Sequence, residues 1–322
     1  MYNDALLLPD WRTPKLKAIR EGVGEGLVKL GAKHEDIIVL TADLAGSTKV
    51  REFAELYPDR FFDVGVAEQN MAGVVAGLSF TGFVPFMASY ATFSPGRNWE
   101  QIRVSVALSK ANVKIIGSHA GVATGKNGPS HQGTEDIALM RVLPNMTVLA
   151  PADAGECAGA IEAAYNHVGP VYIRTTRPDT PVFLKPREFE VGKAQVLREG
   201  RDVTIAACGI QVWDSLMVAE DLSKDGIECE VINVSTIKPL DHYTIVESAK
   251  KTGKVITIED HQAMGGMGSA IAEVLSSECP VPIKFIGIKD RFGISGEWED
   301  VYQKVGLDRV SLKQAVIDYL HE

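Results

Sequence analysis

What this chain lacks narrows it first. Of its 322 residues only four are cysteine (Cys157, Cys208, Cys229, Cys279), widely separated and with no CxxC pair. That speaks against a disulfide framework or a thiolate zinc site and implies reduced thiols in the cytoplasm. No uninterrupted apolar run approaches the roughly eighteen residues of a membrane span. The amino end, MYNDALLLPDW, has no basic stretch and does not read as a secretion signal. Basic charge is in deficit, with 33 Lys and Arg against 42 Asp and Glu, for a net charge of −9. A general affinity for nucleic acid or anionic membranes is therefore not expected, although a local basic pocket for a phosphate remains open.

Several motifs are also missing. There is no GxxxxGK[ST], no HExxH and no EF-hand loop, and His119 and His131 have no third ligand nearby, so no metal site built from this chain alone is expected. GGMGSA (265–270) stands where a dinucleotide fingerprint would, yet it lacks the full GxGxxG spacing and reads better as a tight strand-to-helix turn. Gly22 and Gly24 fall inside a helical pattern, where close helix packing is the better reading.

What is present is an alternation of β-branched runs with longer helical stretches. DIIVLTAD (36–43), FVPFMAS (83–89), NVKIIGS (112–118), MTVLAP (146–151) and PVYIRT (170–175) read as buried strands. Helices are expected over 15–30, 67–81, 97–109, 135–141 and 153–166. Strand, helix, strand at this spacing predicts a parallel sheet covered on both faces. After residue 176 the pattern breaks at Pro178, Pro181 and Pro186, which reads as a linker. A second alternation follows, with strands at 203–208, 228–234, 254–260 and 283–288 and helices at 212–224, 241–250, 267–277 and 310–320. The fold class is α/β, in two domains: 1–178, then a linker over 179–195, then a smaller unit over 196–322.

Two segments carry chemistry. DVGVAEQNMAGVVAGLSFTG (63–82) sets Glu68 at the mouth of a run with no charge from Met71 to Phe83. Taken alone, Glu68 reads as a first-turn carboxylate complementing a helix dipole. SHAGVATGKNGPSHQGTED (118–136) leaves a strand as a long loop with Gly121, Gly125, Gly128 and Gly133 between and beside two histidines. Loops at strand carboxyl ends are where ligands bind in such sheets.

With these segments in view the chain resembles the carboxyl-terminal half of a transketolase. TADLAGS (41–47), GVAEQNMAG (65–73), PFMASYATF (85–93), GKNGPSHQ (125–132) and GPVYIRTTR (169–177) occur in the order of that family's pyrimidine-binding domain, and the resemblance runs on through its carboxyl-terminal domain. It implies a thiamine-diphosphate enzyme. The GDG motif that anchors the diphosphate and Mg2+ in such enzymes is missing here. The resemblance therefore implies a separate transketolase amino-terminal subunit carrying GDG and holding most of the magnesium, in an α2β2 assembly. The implied reaction moves a two-carbon ketol unit from a ketose phosphate to an aldose phosphate in the pentose phosphate pathway.

The resemblance also assigns roles. Glu68 would share a proton with the aminopyrimidine ring nitrogen, since a carboxyl withdrawn from water holds its proton more readily. Tyr90 and Phe93 would pack on the pyrimidine ring, with Asp43 close to the cofactor. Arg20, Ser47, His119 and Arg177 would grip the substrate phosphate, because arginine forks and hydroxyls suit its oxygens. His131 and Asn127 would read the sugar hydroxyls, and Gly125 and Gly128 would let the loop close. Asn127 stands where the single-chain enzymes carry aspartate, and Lys126 where they often carry an acid. Those departures leave sugar preference less defined than reaction type. The β-subunit of a 2-oxoacid dehydrogenase, a 1-deoxyxylulose-5-phosphate synthase and a non-catalytic binding homologue are the alternatives. The carboxyl-terminal domain is expected to support assembly, with no chemistry assigned to it.

Overall fold

The computed structural model describes residues 1–322. Eight strands form before residue 182: β1 (Leu16–Ala18), β2 (Ile37–Thr41), β3 (Phe61–Asp63), β4 (Val84–Tyr90), β5 (Lys114–Ser118), β6 (Thr147–Leu149), β7 (Val171–Arg174) and β8 (Asp179–Pro181). Six more follow: β9 (Gln195–Arg198), β10 (Val203–Ala207), β11 (Cys229–Asn233), β12 (Thr236–Lys238), β13 (Val255–Gln262) and β14 (Ile283–Ile288). The first sheet has the order β12-β6-β7-β5-β4-β2-β3, and the second β14-β13-β10-β11-β9. From β6 to β3 every pairing is parallel. Strands β2, β4 and β5 are buried along their whole length, as sheets covered on both faces demand.

The covering layers depend on close approach. The helix Glu21–Gly31 lies on the helix Ala154–Asn166, and a Cβ on Gly22 would fall 2.2 Å from the Ala154 carbonyl oxygen. Only a hydrogen fits there, so the helical glycines serve packing. GGMGSA makes the expected turn. The buried Glu259 carboxylate fills the following helix N-terminus, accepting from the Met267 and Gly268 N–H groups at 2.7 and 2.9 Å. The chain's own carboxylate thus takes the place a bound phosphate would use.

Some elements differ from the sequence reading. The stretch 15–30 begins as strand β1, paired antiparallel with β8, before its helix starts at Glu21. The stretch 97–109 is a short α-turn (Trp99–Gln101) that widens into a π-helix (Ile102–Leu108). Strand β12 leaves the second unit and pairs antiparallel with β6 of the first sheet. The two units are therefore stitched through a shared sheet as well as by packing. No helix is long and apolar enough to cross a membrane.

Candidate active site

The residues singled out from sequence gather off the carboxyl ends of neighbouring strands. Arg177 follows β7, His119 follows β5, Tyr90 ends β4, Asp43 and Ser47 follow β2, and Glu68 lies beyond β3. In parallel sheets this edge holds the loops free to meet a ligand.

Glu68 opens the helix Glu68–Ser79 and is only 1% exposed. Its helix N-terminus favours the carboxylate, and its Oε2 accepts from Arg97 Nη1 at 2.9 Å. Asn98 fixes the backbone beneath it, donating Nδ2 to the Glu68 carbonyl at 3.0 Å and to Ser94 Oγ at 3.2 Å. The Arg97 guanidinium also lies 4.8 Å over the Phe93 ring. Tyr90 and Phe93 are near parallel, with centroids 6.0 Å apart and planes 14° from one another. His131 meets the Phe93 ring edge-on at 5.3 Å, and its Nδ1 lies 2.9 Å from Ser130 Oγ. A buried carboxylate, two near-parallel aromatic faces and an imidazole edge fit a flat, nitrogen-bearing heteroaromatic ring.

A second cluster adjoins the first through Tyr90, which stacks on His119 at 3.8 Å. The His119 backbone takes φ of +56°, and its buried ring lies with Nδ1 2.9 Å from Ser118 Oγ and Nε2 3.5 Å from Arg20 Nη1. Burial lowers its pKa to about 3, helped by the charges of Arg20 and Arg177 and by His131, so the ring is neutral near pH 7. Arg20 Nη1 donates to the Ser47 carbonyl at 2.7 Å, while its buried Nε has no acceptor at all. Arg177 Nη1 donates to the Thr124 carbonyl at 3.0 Å, and the Thr124 hydroxyl donates to the His119 carbonyl at 2.5 Å. A cavity of about 480 Å³ opens here, walled by Arg20, Arg177, Lys126 and Gly125 and, from the second unit, by Glu297 and Trp298.

The remaining candidates are looser. Asp43 is exposed with φ of +59°, its N–H held by Asp63 Oδ1 at 2.9 Å, and Asn127 is exposed at the end of the 3₁₀ segment Val122–Asn127. Neither side chain makes a hydrogen bond or ion pair with the clusters. Sequence reasoning missed Arg97 and the second unit's Glu297 and Trp298. Arg97 stands in the SPGRNW turn after the aromatic pair, a signal that could have drawn notice. The other two reach the cavity only by tertiary packing.

Two family descriptions match the chain: the transketolase pyrimidine-binding domain over residues 15–182 and the transketolase C-terminal domain over 192–312. A Methanocaldococcus jannaschii protein assigned as a transketolase C-terminal section is 44% identical, covering 94% of this chain and 96% of its own. A 6-deoxy-6-sulfo-D-fructose transketolase subunit of a Clostridium strain is 42% identical over 92% of each chain, and an apulose-4-phosphate transketolase subunit of Phocaeicola vulgatus is 35% identical over 94% and 97%. Among solved structures, a split-gene transketolase in an inactive tetramer of β chains superposes with a TM-score of 0.86 at 45% identity, over 94% of this chain and 98% of that one. A Campylobacter jejuni transketolase superposes with a TM-score of 0.78 at 26% identity, over 96% of this chain and 49% of its own. This chain belongs to the transketolase family and has the two-domain make-up of the carboxyl-terminal subunit of its split, two-chain members.

Proposed function

We propose that this chain is the pyrimidine-holding half of a thiamine-diphosphate transketolase that moves a two-carbon ketol unit between sugar phosphates. The observation that carries the substrate class is the pairing of Arg20 and Arg177 around a neutral, buried His119, with the Arg20 Nε still seeking an acceptor. Two guanidinium forks and an imidazole with no charge of its own make a cationic recess suited to a phosphate. A 2-oxoacid without a phosphate would leave those cations unmatched, which disfavours a 2-oxoacid dehydrogenase.

Thiamine diphosphate, when bound, supplies the carbon nucleophile that cleaves and rebuilds the bond beside the ketone. The chain's own residues would hold its pyrimidine half. Glu68 would hydrogen-bond the ring nitrogen, and Tyr90 and Phe93 would orient the ring. His131 would bind donor oxygens at the reacting end, with Asn127 reaching the sugar hydroxyls and Asp43 bordering the cofactor. Ser47 would complete the phosphate grip. The diphosphate and magnesium are assigned to a partner chain carrying GDG, because this sequence has no such motif.

Exposed apolar side chains on β3 and along the Glu68 helix support that partner. Phe62 is 48% exposed, Val66 69% and Phe80 64%, and Val74 on the Glu68 helix is also exposed. Apolar patches of this kind mark interaction surfaces. We assign an α2β2 assembly working in the cytoplasm, in keeping with four free cysteines, and a place in the pentose phosphate pathway. The sulfosugar and apulose-phosphate relatives favour a second reading, in which the same chemistry acts on a modified sugar with an anionic end.

The test is to tag the chain, recover it from its native host and identify what accompanies it in near-equal amount. A GDG-bearing transketolase chain, with ketol transfer requiring both chains and cofactor, is the expected result. A 2-oxoacid dehydrogenase chain would overturn the proposal.

A further inference from the structure

The second unit holds a carboxylate directly behind the substrate loop. Asp260, near the end of β13, is fully enclosed. Its Oδ1 accepts from the Val122 N–H at 2.9 Å and its Oδ2 from the Ala123 N–H at 3.2 Å. These two amides open the 3₁₀ segment Val122–Asn127, which has no side-chain cap of its own. Asp260 therefore supplies, from another sheet, the acceptor a helix start ordinarily finds in its own chain. Tyr302 OH donates to the same Oδ2 at 2.9 Å and fixes the carboxylate's rotation.

The other end of Asp260 is tied as well. Arg174 Nη2 donates to the Asp260 carbonyl at 2.6 Å while its Nε donates to Asp136 Oδ2 at 2.9 Å. Arg174 ends β7, the strand that leads to Arg177. One residue thus links the backbone bearing Arg177 to the loop that begins at His119. From the loop side the tie continues through Thr124, which accepts from Arg177 and donates to His119. Within the first unit the loop is pinned as far as Gly121, the Ala120 N–H donating to the Thr175 carbonyl at 3.1 Å and the Gly121 N–H to the Gly133 carbonyl at 2.7 Å, and Asp260 takes hold of the next two amides.

We infer that Asp260 is a positioning residue for substrate binding: from the carboxyl-terminal domain it clamps the amides of Val122 and Ala123, and so holds Thr124, through which the Arg177 guanidinium and the His119 carbonyl are steadied around the substrate phosphate. The carboxyl-terminal domain is then part of the substrate site as well as of the assembly. The phosphate part of this inference rests on the proposed function, whereas the clamp itself does not.

Asp260→Asn in the full chain is the test, because an amide offers one acceptor oxygen and turns an N–H against the second loop amide. Hydrogen exchange of the full chain should speed up about tenfold over 119–131 while β5 and β7 stay protected. With the partner subunit, the KM for a phosphorylated ketose should rise about tenfold, with kcat within about twofold and the KM for an unphosphorylated ketose unchanged. Tyr302→Phe keeps both acceptors and should move the same readings in the same direction by about two- to threefold. Unchanged exchange in Asp260→Asn overturns the inference, and so does an equal loss with both donors. If Asp260→Asn does not fold, Tyr302→Phe decides by the same criteria. If the unaltered complex shows no ketol transfer, the proposed function fails, and the exchange measurement still decides the clamp.

Discussion

Arg97 Nη1 and Glu68 Oε2 lie 2.9 Å apart, joining a half-exposed guanidinium to a carboxylate only 1% exposed. The pair has one foot in water and one in the protein, and the guanidinium offsets the charge of a carboxylate that the protein encloses.

Replacing Glu68 with Gln keeps its size and removes its charge. Turnover by the assembled enzyme should fall by about a hundredfold or more, the range of a lost acid–base group. Association with the partner should persist, since the surrounding helix and Asn98 bonds are untouched. Steady-state kinetics beside size-exclusion chromatography checks both. Full activity would remove Glu68 from any proton transfer.

How much of this was legible in the sequence follows from what each feature depends on. Strands β2, β4 and β5 stood out because a strand buried on both faces must be apolar throughout. The candidate residues could be found through the family resemblance of the segments that carry them: Ser47, Tyr90, His119 and Arg177 lie at or past buried strands, whereas Arg20 and Glu68 follow the short β1 and β3. Strands β1, β3, β8 and β12 have three residues each, too few for a period to show, and exist because a distant strand pairs with them. The π-widening of Ile102–Leu108 leaves no mark in a helical pattern. Asp260, at the close of KVITIED, reads as the polar end of a strand; its task depends on a loop far away in the chain.

The acid limb of stability should carry a signature of His119. Its pKa falls from 6.5 to about 3 in the folded chain, by burial first and then by Arg20, Arg177 and His131. Between those values the unfolded chain binds a proton that the folded chain does not. Stability therefore rises with pH across that window, is fully present above about 6.5 and is lost as pH falls toward 3. His119→Asn removes the titration. The urea-unfolding free energy of the unaltered chain, minus that of the variant, should decline as pH is lowered from 6.5 to 4.5. A flat difference would mean that His119 takes up its proton alike in the folded and unfolded chains.

At the cavity mouth Lys126 Nζ is held by Glu297 Oε1 at 2.6 Å, both side chains being well exposed. The acid comes from the carboxyl-terminal unit and occupies one of the cations lining the cavity. Glu297→Ala should release Lys126 to the incoming anion and lower the KM for phosphorylated sugars by about two- to threefold at low salt. The gain should vanish at about 0.5 M salt, where exposed charges are screened. A KM that does not move at low salt would make the bridge irrelevant to binding.

Gly121 offers the sharpest steric test of the contact between the two units. Its φ is +78°, and a Cβ built there would stand 2.1 Å from Asp260 Oδ2. The carboxylate cannot turn aside without dropping the Tyr302 hydroxyl and the Ala123 amide that hold the same oxygen. Gly121→Ala should therefore cost backbone strain together with a displaced carboxylate, about 3 kcal/mol in all. Gly65→Ala is the control, since Gly65 has φ of +69° but nothing within 4 Å of its built Cβ. It carries a positive-φ backbone cost with no steric contact, about 1 kcal/mol. Urea denaturation of both full-length variants separates the two contributions. Equal losses would mean that the loop can retreat from Asp260 at no cost, and that the close approach of glycine and carboxylate contributes nothing to holding the domains together.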